Sequence, residues 1–144
     1  MNLSAGPSFF RTIPAGYLGA NLLTDGVADV ADGDHWGWLW MFFGAVALAF
    51  LVQHLREQAL RGLNRPGATW SRTDTANVGI LTVVTALMLV DTMIETNTPP
   101  AGKAAIYTMV AVYAALTLDF AFQRSQVIRA STPAAKPTLT PPAV

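Results

Sequence analysis

Three long apolar stretches joined by short polar connections constrain this chain more than any other feature. They run from Trp36 to Leu55, from Val78 to Asn97 and from Ala104 to Phe122. Each comes close to the ~20 residues that a helix needs to cross a ~30 Å hydrocarbon core. The expected fold is an all-α integral membrane protein with three transmembrane helices. Residues 1–35 form an extracytoplasmic, interfacial segment on this reading, residues 36–123 the membrane domain, and residues 124–144 a cytoplasmic Pro-rich tail.

Composition agrees. Charged residues make up 12% of the 144, against about a quarter in a soluble domain. The formal net charge is zero, which gives no basis for nucleic-acid binding. Cysteine is absent, so disulfides, thiolate metal sites and cysteine nucleophiles are excluded. The opening MNLSAGPSFF has no basic n-region and no apolar run before Pro14, so a cleavable signal peptide is not expected.

The basic residues give an orientation. Arg56, Arg61, Arg65 and Arg72 fall between the first two stretches, and Arg124, Arg129 and Lys136 follow the third. Arg11 and Lys103 lie on the other side of this scheme. The positive-inside rule then predicts an N-out, C-in topology, with a prokaryotic inner membrane as the expected location. Asp25, Asp29, Asp32 and Asp34 precede the first stretch on the outer side.

Local signals refine this frame. Apolar patches around Phe9, Phe10, Ile13, Tyr17, Leu18, Leu22 and Leu23 are too short to cross; they suit an irregular cap or a short interfacial helix after Pro14. Gly16, Gly19 and Gly26 argue against a long helix there. Trp36, Trp38, Trp40, Trp70 and Tyr107 sit where interfacial anchors belong. Glu57 and Arg61 are spaced for a helical ion pair. Asn64-Arg65-Pro66-Gly67 predicts a turn, and Ser71 with Asp74 has the spacing of a capping box. The short connection 97–102 makes the second and third stretches antiparallel neighbours. The tail 130–144 is too rich in Pro, Thr and Ala to build a core.

Ionisable residues in or beside the stretches are candidates for function. Asp91 lies roughly 20 Å along its helix from Val78, and Glu95 is one turn further on the same face. A cation or proton site is one reading of this pair, and a polar end turn is the plainer one. Asp119 belongs near the opposite boundary, with Gln123 and either His54 or Arg56 as expected neighbours in a structural pair. His35 and His54, roughly 28 Å apart on a continuous helix, cannot share one metal or haem. His54 alone is a candidate axial ligand to haem or chlorophyll, against a local hydrogen bond. His35 with Asp91 and Glu95 is a candidate carboxylate–histidine metal site, against an ordinary solvated acidic loop.

Packing signals outnumber chemical ones. Ala45 with Ala49, and Ala111 with Ala115, form small-xxx-small patterns that let helix backbones approach. Thr82, Thr85, Thr92 and Thr96 form a polar stripe suited to holding helices together. No phosphate loop, dinucleotide fingerprint, HExxH or Ser-His-Asp set is present. The expected function is a non-catalytic accessory subunit of a respiratory, photosynthetic or metalloenzyme membrane assembly, with other integral membrane subunits and lipid as partners. A metal-binding enzyme subunit and a small homo-oligomeric transporter using Asp91 and Asp119 are the alternatives. The sequence assigns no cofactor.

Overall fold

The computed structural model describes residues 9–63, 65–94 and 98–132, and all of its regular structure there is helical. Helix α1 spans Phe9–Ala31, α2 Gly37–Ala59, α3 Arg72–Ile94 and α4 Pro100–Ser131. Three of them, α2, α3 and α4, are long and apolar enough to cross a membrane. The chain is therefore read as a multi-pass membrane protein.

Helix α1 is the main departure from expectation. It begins at Phe9 rather than after Pro14, and it runs through Gly16, Gly19 and Gly26 without a break. A proline this close to the helix start removes one backbone hydrogen bond and leaves the later turns intact. The glycines that weaken an isolated helix are here its contact surface. A Cβ built on Gly26 would lie 2.7 Å from the Gly37 carbonyl oxygen and 2.8 Å from the Met41 nitrogen. One built on Gly44 would lie 2.7 Å from the Leu23 nitrogen. Backbone meets backbone, and α1 and α2 form the most intimate pair in the bundle.

That pair is antiparallel. Helix α1 ends in a tight turn at Gly33, whose φ of 88° suits a residue without a Cβ. Two backbone bonds close the turn, Gly33 N–H to Val30 O and Asp34 N–H to Asp29 O. The Asp34 carboxylate then accepts from the Trp36 N–H at 2.9 Å. Part of the acidic loop that precedes α2 thus has a structural duty.

Helices α3 and α4 form the second antiparallel pair, as the short connection required. Helix α1 also packs on α4 and α3, whereas α2 barely meets α3, so α1 and α4 lie along the short diagonal of a four-helix bundle. On that diagonal the Tyr113 hydroxyl, fully buried, donates to the Gly16 carbonyl at 2.5 Å. Near the start of α1, Thr12 Oγ1 donates to Asn77 Oδ1 on α3 at 2.8 Å.

These contacts set the described part of residues 1–35 within the bundle. The described part of that segment is mostly one long helix rather than an irregular cap. Its first turns lie beside the first turns of α3, at the same end of the bundle as the 60–71 loop and Arg124. Arg11 therefore joins Arg56, Arg61, Arg65, Arg72, Arg124 and Arg129 at one basic end. Asp25, Asp29, Asp32 and Asp34 lie toward the other. The start of α1 and the last turns of α4 thus lie at the same end of the bundle.

Beside an apolar core that includes Leu51, Leu81 and Phe120, the bundle buries polar groups and exposes large apolar ones. Thr12, Thr24, His54, Asp74, Asn77, Thr92 and Arg124 are buried, while Phe10, Trp36, Phe42, Leu87, Leu118 and Phe122 are among the exposed large apolar residues. Water-soluble surfaces rarely carry contiguous apolar area on this scale. Hydrocarbon solvates it readily, and interior polar groups must then find partners in the protein. The Thr stripe does so locally: Thr82, Thr85 and Thr92 each donate to the carbonyl four residues back. Thr96 lies outside the described residues.

Candidate functional site

The strongest concentration of buried charge is at the basic end, built from α3, α4 and the loop between α2 and α3. The sequence starts α3 there by a capping box. The Ser71 N–H donates to Asp74 Oδ2 at 2.8 Å, and the Asp74 N–H donates to Ser71 Oγ at 3.3 Å. Capping leaves the rest of the Asp74 carboxylate aimed into the bundle, where it is fully buried. Arg124 reaches it from α4, Nε to Oδ2 at 3.0 Å, and is itself 3% exposed.

The remaining guanidinium donors close onto the loop. Nη2 donates to the Thr69 carbonyl at 2.8 Å, and Nη1 donates to the Arg61 carbonyl. The Arg61 side chain returns to the same place, with Nη2 2.8 Å from Ser71 Oγ and 3.6 Å from Asp74 Oδ1. A planar, five-donor guanidinium suits this task, since it binds a carboxylate and two carbonyls in one plane. Ser131, at the end of α4, adds a bond from its hydroxyl to the Ala68 carbonyl, and its own carbonyl accepts from the Gly67 N–H. The assembly ties a surface loop to two helices. Among the described residues, Asp74 Oδ2 takes all the hydrogen bonds, whereas the buried Oδ1 has the Arg61 guanidinium at 3.6 Å and no hydrogen bond.

Sequence reasoning recognised the capping box and missed this cluster. Arg124 was counted only as a cytoplasmic charge beyond the third stretch, but α4 continues to Ser131 and carries it into the bundle. The expected Glu57–Arg61 pair does not form. Helix α2 ends at Ala59, so Arg61 leaves the helical face and turns to Ser71 and Asp74. Glu57 accepts instead from Gln53 at 2.9 Å.

A second feature lies toward the acidic end. A cavity of about 320 Å³ opens between α1, α3 and α4, and Asn21, Thr24, Asp25 and Asp91 line it together with Val84 and Met88. Asp91 thus lines a cavity to which α1 brings a second carboxylate, Asp25; Glu95 lies outside the described residues. His35 is exposed in the turn between α1 and α2. Among the described residues, no three His, Asp or Glu side chains come together as a metal-holding group.

Asp119 is exposed on α4 and accepts from Gln123 at 2.6 Å, as its spacing suggested. Arg56 lines the same narrow cleft between α2 and α4. His54 is buried, with its ring stacked on Phe50 at 6.3 Å between centroids. Asp91 and Asp119 line separate clefts. The alanine patterns face outward: Ala45, Ala49, Ala111 and Ala115 are all exposed. No family model, curated protein or solved structure matches the chain.

Proposed function

We propose that this chain is a non-catalytic accessory subunit of a larger membrane protein assembly, acting by packing its outer helix faces against other integral membrane subunits. The observation that carries this reading is a division of labour among small residues. Glycines make the close contacts inside the bundle, whereas Ala45, Ala49, Ala111 and Ala115 remain outside on α2 and α4. Small residues on an outward face let a second helix approach closely in lipid, where dispersion and interhelical hydrogen bonds drive association. The buried charges support the same role, since Asp74 and Arg124 are engaged in fastening the protein's own loop.

Helix α1 is a fourth span in this proposal, packed against α2, α3 and α4. The basic end faces the cytoplasm of a prokaryotic inner membrane, with the α1 start, the 60–71 loop and the α4 end all inside. Mass spectrometry of the native complex, extracted in mild detergent, tests the role directly. Discrete partner subunits in fixed stoichiometry are expected. A chain recovered alone as a monomer would overturn the proposal.

The cavity holding Asp25 and Asp91 favours a second reading, a small homo-oligomeric cation or proton transporter. A ring of identical chains without other subunits would support it.

A further inference from the structure

The close pairing of α1 and α2 leaves an apolar groove of about 620 Å³ along one side of the two helices. Arg11, Leu18 and Leu22 line it from α1, and Trp40, Phe43 and Phe50 from α2. Arg11 is the one charged residue in the lining, and it is exposed. Its guanidinium meets no acid among the described residues. An arginine beside hydrocarbon without a partner is costly unless it reaches an anion or the interface.

Register fixes its depth. Gly19 lies against Leu48, Gly44 against Leu23 and Gly26 against Met41, so facing residue numbers keep a constant sum. Carried two turns further, this register sets Arg11 level with Arg56, at the basic end of the α2 span. From Arg11 to Leu22, α1 covers roughly 16 Å, about half of a ~30 Å hydrocarbon core. The α2 wall carries the groove on toward Trp40. With α1 as the fourth span proposed above, the groove begins with a cation at headgroup level and follows the hydrocarbon of the adjoining leaflet inward.

We propose that this groove is a binding site for one phospholipid with an anionic headgroup, taken from the leaflet at the basic end. The headgroup phosphate sits on Arg11, and one acyl chain lies between α1 and α2 past Leu18. Charge complementarity selects this occupant. An apolar helix from another subunit would fill the groove but would bring no anion to Arg11.

The test places a reporter in the groove. Leu18→Trp is exposed and sits about 10 Å inward of Arg11, with Trp36, Trp38, Trp40 and Trp70 changed to Phe. The protein is placed in phosphatidylcholine vesicles doped with phosphatidylglycerol or phosphatidylcholine brominated at mid-chain. Brominated phosphatidylglycerol is expected to quench the reporter at about fivefold lower mole fraction, the scale set by one basic side chain at an anionic surface. Arg11→Gln should abolish that difference, Arg11→Lys should retain it, and Lys103→Gln, at the other end, should leave it unchanged. Circular dichroism confirms that each variant keeps its helices. Equal quenching by the two lipids with Arg11 present overturns the proposal. So does a preference that survives Arg11→Gln, or a reporter shielded from both lipids, which would place a protein helix in the groove.

Discussion

Arg124 and Asp74 meet at 3.0 Å with side chains 4% and 0% exposed, although fifty residues of sequence separate them. The carboxylate caps the first turn of α3, and the guanidinium holds two loop carbonyls besides. One contact thus fixes the start of α3, the end of α4 and the 60–71 loop against each other. Removing the Asp74 charge leaves the buried Arg124 guanidinium facing no anion among the described residues, which costs more than the pair itself contributes.

Asp74→Asn should therefore destabilise the bundle by about 3–5 kcal/mol. Arg124→Lys should also destabilise it, because an ammonium cannot reproduce the planar fork. The double variant Asp74→Asn, Arg124→Gln should cost less than the two single losses added together. Denaturant titration in detergent micelles measures all three. A cost for Asp74→Asn within about 1 kcal/mol, the scale of an exposed pair, would show that the cluster is not structural.

The glycine contacts between α1 and α2 make a prediction of opposite signs. Gly44→Ala places a methyl group 2.7 Å from the Leu23 nitrogen, and backbone cannot yield as a side-chain tip can. We expect a loss of about 1–3 kcal/mol, the usual range for overpacking. Gly79 on α3 faces open space, so Gly79→Ala should gain up to about 1 kcal/mol from helix propensity. Thermal unfolding of the two variants side by side checks the contrast. Equal midpoints would mean that the two helices are not packed through Gly44.

Cysteine labelling tests the sidedness. Ala68 lies in the loop at the basic end and Ala101 at the start of α4. In intact cells Ala68→Cys should be protected and Ala101→Cys labelled. A cysteine at Ser4, ahead of α1, should behave like the one at Ala68. Labelling of Ser4→Cys together with Ala101→Cys would refute the fourth span proposed for α1.

Asp119 separates assembly from transport. It is exposed and, among the described residues, bonded along its own helix to Gln123, so Asp119→Asn should change the stability of the isolated chain by no more than about 1 kcal/mol. The yield of assembled complex should fall, because the outer face of α4 is the proposed contact surface. Turnover per assembled complex should stay unchanged. Normal yield with lost turnover would instead support an ion pathway through Asp119.

What the sequence determined by itself is what short windows of residues decide. The three spans follow from local apolar content, and α2, α3 and α4 are the helices that can cross. The Ser71–Asp74 cap, the Asp119–Gln123 bond and the Thr bonds to carbonyls one turn back all lie within a turn of helix, and each is present. Only the tertiary structure decided the place of α1. Summed over its own residues, α1 is too rich in Gly, Thr and Asp to be counted as a span. The cost of a polar group in the bundle depends on its partner, however, and Thr12 finds Asn77 on α3 while the Gly16 carbonyl finds Tyr113 on α4. Those partners lie 65 and 97 residues away, beyond the reach of any window. The same reason hid the Asp74–Arg124 pair: a charge reads as a surface residue until folding shows which opposite charge it meets.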